Sequence, residues 1–128
     1  MKVILKTILC MTFGLIITGS LLPVSVAAEL EDTPIIGMVV RCNDNEDFPQ
    51  KPNLPTKMLQ KQLRQIVEYA TNSGYNSIFF EVRTQGGALY ASDQFPTSRF
   101  LVGQQGLFTI FDPLRELLRL TSESNLKV

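Results

Sequence analysis

From residue 35 onward, short apolar blocks alternate with apolar stripes at helical spacing. Ile35-Ile36-Gly37-Met38-Val39-Val40 is apolar with no period of two, which predicts a strand over residues 35–41 buried on both faces, as in a parallel sheet. Residues 42–55 carry Asn43, Asp44, Asn45, Glu46, Asp47 and the prolines Pro49, Pro52 and Pro55, the composition of a loop. Leu59, Leu63, Ile66, Val67 and Ala70 then mark one face of a helix over 56–73, with Thr56 as N-cap and Gly74 as the stop. Residues 77–83, Ser77-Ile78-Phe79-Phe80-Glu81-Val82-Arg83, predict a second strand. Strand, helix and strand with a short return make a βαβ unit, so the strands should be parallel and the crossover right-handed.

A long excursion over 84–111 follows, punctuated by Gly86, Gly87, Pro96, Gly103 and Gly106. Asp112 and Pro113 open another helix, to about residue 122, as N-cap and first residue. Its buried face is expected at Leu114, Leu117, Leu118 and Thr121, with Asn125 as a left-handed terminator. Leu126-Lys127-Val128 then begins a third strand. The two connections that leave strand carboxyl ends are long, whereas the returns from the helices are short. Loops beyond about 12–15 residues without structure of their own are usually functional. In parallel α/β folds ligands bind at that end of the strands, so the working face is expected there.

Strand alternation sets Phe79, Glu81 and Arg83 on one face of the second strand and Ile78, Phe80 and Val82 on the other. Apolar residues should meet the helices, which leaves Glu81 and Arg83 to line a site or to form a partly buried ion pair that fixes strand register. Thr84-Gln85-Gly86-Gly87-Ala88-Leu89-Tyr90 is glycine-rich but lacks the Lys-Ser/Thr of a phosphate loop and the spacing of a dinucleotide fingerprint. Its glycines suit a sharp turn or a close backbone approach. Tyr90 either presents its ring and hydroxyl to a ligand or packs the loop onto the rim. Asp44, Glu46 and Asp47 lack the Gly and distal Glu of a calcium loop and read as a solvated cluster, so no metal site is expected.

The first 28 residues differ from the rest. Lys2 and Lys6 precede an uncharged apolar run from Ile8 to Leu22, and Val26 and Ala28 stand at the small-residue positions of a cleavage site. This is the order of a signal peptide, and Cys10 lies too early for a lipoprotein anchor. Gly14, Gly19, Ser20 and Pro23 interrupt the run, and no basic stop-transfer cluster follows, which argues against a membrane span. The expected organisation is a signal peptide over 1–28, a polar lead-in over 29–34 and one domain over 35–128, exported to the cell envelope or beyond. Cleavage leaves about 100 residues, slightly acidic, with Cys42 as the remaining cysteine, so burial without a disulfide must hold the domain together. With no basic stripe, neither nucleic acid nor, after cleavage, a membrane is an expected partner. The chain has no His, which excludes Ser-His, Cys-His and His-metal sites within it, and no Trp to stack on a sugar.

From Gly74-Tyr75-Asn76 through Phe79-Phe80-Glu81-Val82-Arg83, Gly87-Ala88-Leu89-Tyr90-Ala91-Ser92, Pro96, Ser98, Leu101, Gly103-Gln104-Gln105-Gly106 and Asp112-Pro113-Leu114, the order and spacing resemble the glycosyl-hydrolase-like family 10 domain. The resemblance covers about residues 35 to 128. It implies an α/β fold, the N-terminal β-α-β-α-(β) portion of a (β/α)8 TIM-type barrel cut off at the start of strand three. It further implies a bacterial exported glycosidase-like protein that meets a polysaccharide or peptidoglycan glycan without a cofactor. On a glycosidase-like reading Glu81, at the carboxyl end of a strand, is the candidate catalytic carboxylate, and Arg83, Gln85 and Tyr90 are the candidate substrate contacts. The family's Gln-Val-Arg-Pro stands here as Glu81-Val82-Arg83-Thr84, its Gly-Asp-Ala-Leu-Tyr as Gly86-Gly87-Ala88-Leu89-Tyr90, its Pro-Trp-Ser as Pro96-Thr97-Ser98, and its Arg-Gly near strand one as Ile36-Gly37. The departures remove an Asp and a Trp. A closed barrel needs about 250 residues, and glycoside hydrolysis needs two carboxyl groups about 5 to 10 Å apart. The expectation is therefore a barrel portion that is not a complete catalyst. The alternative is a non-catalytic secreted small α/β module or decayed gene product; a nucleotide-binding domain is disfavoured because no phosphate motif follows strand one.

Overall fold

A computed structural model describes residues 34–128. The expected signal peptide over 1–28 and nearly all of the polar lead-in lie outside these residues. The described elements are β1 (Gly37–Val40), a short 3-10 turn (Asn43–Asn45), α1 (Thr56–Asn72), β2 (Ser77–Phe80), β3 (Arg83–Thr84), β4 (Gly87–Ala88), α2 (Arg99–Val102) and α3 (Pro113–Thr121). The chain is mixed α/β, as expected. Its strands β1 and β2 are parallel, with Met38 opposite Ile78 and Val40 opposite Phe80. Lys127 forms a parallel bridge to Ser77 on the far edge of β2, and the Ile78 N–H donates to the Lys127 carbonyl at 2.7 Å. The third strand read from the last residues thus begins where a βαβαβ order would place it.

Helices α1 and α3 lie on the face that carries Val40 and Ile78, and their buried residues form a single core with that face. Leu59, Leu63, Val67 and Ala70 of α1 meet Leu117 of α3 there, joined by Phe48, Leu89, Phe111 and Leu126. Leu63, Ile78 and Leu117 are fully enclosed, each contributing about 1.5–3 kcal/mol. Gln62 on the buried stripe of α1 is satisfied by Gln50, and no described buried side-chain nitrogen or oxygen lacks a hydrogen-bond partner. Gly74 closes α1 in the left-handed conformation, φ 78°, while the Tyr75 N–H reaches back to the Ala70 carbonyl.

Several expectations need correction. Both strands are shorter than predicted: β1 omits Ile35, Ile36 and Arg41, and β2 ends at Phe80, so Glu81, Val82 and Arg83 are outside it. The strands are not buried on both faces. Helices cover one side only among the described residues, and on the other side Val39 and Phe79 are 61% and 54% exposed. Pro55 rather than Thr56 is the N-cap of α1, without a side-chain cap, and Thr56 is the first helical residue. On α3 Leu118 is exposed and Pro113 takes a buried place, while Asp112 caps as expected through the Arg115 N–H. That helix ends at Thr121, with Ser122 capping it in ordinary helical geometry, and Asn125 is not left-handed. The excursion over 84–111 is not structureless, since it contains the β3–β4 ribbon and α2.

Two glycines mark close backbone approaches of different kinds. A Cβ on Gly87 would lie 2.5 Å from the Ser98 Cα, a main-chain atom that cannot swing aside. On Gly37 the obstacle, at 2.2 Å, is the outer edge of the exposed Phe79 ring. We therefore expect Gly87→Ala to destabilise by about 1–3 kcal/mol and Gly37→Ala to cost less, because Phe79 can change rotamer. Denaturant unfolding of the two variants checks this; the reverse order would show that Phe79 is fixed.

Candidate functional site

Two of the predicted site residues, Glu81 and Gln85, meet through Asn43 where β1 and β2 end. The Glu81 N–H still bonds the Val40 carbonyl at 3.0 Å, which continues the strand pairing one step past β2. The half-buried Glu81 side chain turns to the other strand's exit. Its Oε2 accepts from the Cys42 N–H at 2.8 Å and from the Asn43 N–H at 3.0 Å. One carboxylate oxygen thus satisfies two successive amides, Cys42 and Asn43, near the start of the loop that leaves β1, the kind of charge-assisted bond that holds a backbone turn.

A chain of side-chain contacts continues outward. Asn43 Oδ1 accepts from Gln85 Nε2 at 3.0 Å, and Gln85 Oε1 accepts from the Arg99 guanidinium. Gln85 can stand there because it occupies a two-residue hairpin turn between β3 and β4, with φ 44° followed by 81° at Gly86. Two successive positive φ values are the type I′ geometry that matches strand twist, and a glycine at the second position takes it without strain. Thr84 and Ser98 close the inner side of the ribbon through hydroxyls 3.2 Å apart, and Ser98 also caps α2.

Arg83 and Tyr90 belong to a second group. The Arg83 guanidinium lies 3.5 Å from the centre of the Phe95 ring, a stacked cation–π contact. Tyr90, half-buried, lines a cavity of about 380 Å³ together with Phe95. Glu81 and Gln85 are therefore joined through Asn43, while Arg83 rests on Phe95, which shares its cavity with Tyr90. Sequence reasoning missed Asn43, Phe95 and Arg99. Asn43 stood among polar loop residues with nothing to distinguish it, and the orientation of Phe95 and Arg99 depends on the β4–Thr97 pairing, which no periodicity reveals.

The acidic cluster is engaged by Arg41, which meets Glu46 at 2.7 Å and Asp47 at 3.6 Å. Among the described residues no group of three His, Cys, Asp or Glu is placed to hold a metal ion. Nor is any helix among them long and apolar enough to cross a membrane. A further cavity, about 570 Å³, lies along the strands and is lined by Val39, Phe79, Val82, Leu114 and Leu118 beside Arg41 and Glu81.

No family model matches the chain. Over 99% of its length it is 27% identical to the glycosyl hydrolase YngK of Bacillus subtilis (strain 168), of which it spans 25%. The chain is thus distantly similar to about a quarter of a glycosyl hydrolase. That is a glycosyl-hydrolase-like relationship, of lower resolution than the family 10 resemblance.

Cys42 stands beside the carboxylate clasp and is fully enclosed. Burial first, then the charges of Glu81 and Asp47, raise its thiol well above its ordinary value of 9.0. Native Cys42 should therefore resist iodoacetamide at neutral pH and react on unfolding. The same shift has a stability consequence of definite sign. Above pH 9.0 the unfolded thiol ionises while the folded one does not, so this contribution to stability falls as the pH rises past that value. Cys42→Ala should flatten that alkaline loss in denaturant titrations; an unchanged alkaline slope would assign it to other groups.

Proposed function

We propose that this chain is the first portion of an exported glycosidase-like (β/α)8 barrel of the family 10 type, and that its loops at the strand carboxyl ends contact a polysaccharide or cell-wall glycan. The observation that carries the reading is the match to a glycosyl hydrolase, which runs through nearly the whole chain rather than through one motif. Parallel β1 and β2, with Lys127 bridged beside β2, agree with consecutive barrel strands. Export rests on the basic, apolar and small-residue order of residues 1–28.

Within this reading Arg83, Gln85 and Tyr90 are substrate contacts, and Glu81 has two roles to divide between its oxygens. Oε2 is committed to the Cys42 and Asn43 amides, which leaves Oε1 to meet a sugar. A general acid or base also needs a second carboxyl group about 5 to 10 Å away across the bond. Glu46 and Asp47 are drawn toward Arg41 instead. Glu81 is accordingly a holding and binding group here, and the glycan is bound rather than cut.

Co-sedimentation with insoluble chitin, cellulose, mannan and purified peptidoglycan tests this. The full-length chain should pellet with at least one of them and release no new reducing ends. Failure to pellet with any would refute the glycan reading, and released reducing ends would reveal a second carboxylate at work.

A further inference from the structure

The ribbon has a face of its own. Arg83 is in register with Ala88, and Ala88 forms a parallel bridge with Thr97, so these three side chains lie on one side of a small three-stranded patch. On that side Arg83 is stacked on Phe95. Next to Phe95 opens the cavity of about 380 Å³, with Ala88 and Thr97 in its floor and Tyr90 and Phe108 in its walls.

The lip of this cavity is unusual for a solvated loop. Phe108 is 87% exposed although it is a large aromatic side chain, and it stands beside the polar residues Ser92, Asp93 and Arg115. The concave lining is mixed, with Phe95, Phe108 and Phe111 beside Ser92, Asp93 and Arg115, a surface that suits a ligand with both an apolar face and a polar edge. The charges separate into committed and available groups. Asp112 is committed, since its carboxylate accepts the Ala91 N–H at 3.1 Å and the Arg115 N–H at 2.9 Å. The Arg115 guanidinium is 80% exposed and approaches Asp112 no closer than 3.8 Å, so it can turn to a ligand.

That mixture selects among ligand classes. A wholly apolar ligand would take Asp93 and Arg115 out of water without partners. A phosphate-bearing ligand would meet the carboxylates of Asp93 and Asp112. A sugar ring has an apolar carbon–hydrogen face and an edge of hydroxyls that both donate and accept, and it uses every feature of the cavity. We propose that this cavity is a sugar subsite. One ring of the glycan lies with its apolar face on Phe108 and Tyr90 and its hydroxyl edge toward Asp93 and Arg115. Arg83, fixed on Phe95, guides the chain onward to the strand ends. The proposal rests on the glycan reading and adds where, and on which side chains, a ring is held.

Calorimetric titration of the full-length chain with short soluble oligomers of glucose, N-acetylglucosamine and mannose tests it. At least one oligomer should bind, Phe108→Ala should weaken that binding tenfold or more, and Arg115→Ala should weaken it several-fold. Both side chains are exposed, so neither variant should shift the melting temperature, and Met58→Ala on the exposed side of α1 should bind as the native chain does. Binding that is indifferent to Phe108→Ala and Arg115→Ala would overturn the subsite and leave the glycan reading standing. Absence of binding to every oligomer would overturn the subsite, while the glycan reading is judged by the co-sedimentation.

Discussion

Two backbone amides leave β1 with no strand partner, and a single carboxylate from the end of β2 takes them both. Without Glu81 the Cys42 and Asn43 N–H groups, part-buried at that junction, would lack these acceptors. An unsatisfied buried amide costs about 1–3 kcal/mol, which is a large share of the about 5–15 kcal/mol that holds a domain of this size. The clasp therefore fixes where the first long loop begins. Through Asn43 it also fixes Gln85, and through Gln85 it reaches Arg99. The positions of Asn43, Gln85 and Arg99 follow from it.

The other half of the ligand face is built on a different principle. There the β3–β4 ribbon is held by the close Gly87–Ser98 approach and the Thr84–Ser98 hydroxyl pair, and it carries Arg83, Phe95 and Tyr90 on its outer side. The first group is a hydrogen-bonded network and the second an aromatic stack beside a cavity. Glycans need both kinds of surface, hydrogen-bond partners at the ring edge and flat apolar surface beneath it. The chain has no tryptophan, so on the proposed glycan reading phenylalanine and tyrosine would supply the second kind.

How much of this was legible in the sequence depended on what kind of force set each feature. The helix stripes of α1 and the Asp112-Pro113 start of α3 are decided by burial and capping within one element, and the sequence pattern located them to within a residue or two. Parallel pairing followed from the βαβ order. The end of β2 was misplaced because Glu81 has a strand-like neighbourhood, yet its side chain is drawn to amides 38 and 39 residues away. Burial on both faces of the strands was wrong for a similar reason, because coverage of Val39 and Phe79 is a property of the tertiary layers rather than of the run itself. Glu81 and Gln85 stood out as polar residues in apolar or glycine-rich surroundings. Asn43 and Arg99 did not, and their place in the network is set by contacts that span 42 and 14 residues to Gln85.

Amide hydrogen exchange at Cys42 and Asn43 in Glu81→Ala tests the organising role of the carboxylate most directly. Both amides should lose their protection in the variant, with exchange also accelerating at Asn45, while amides in the middle of α1, such as Leu63 and Val67, stay protected. Unchanged protection at Cys42 and Asn43 would mean that the loop holds its shape without Glu81, and the carboxylate would not be the constraint on which the ligand face depends.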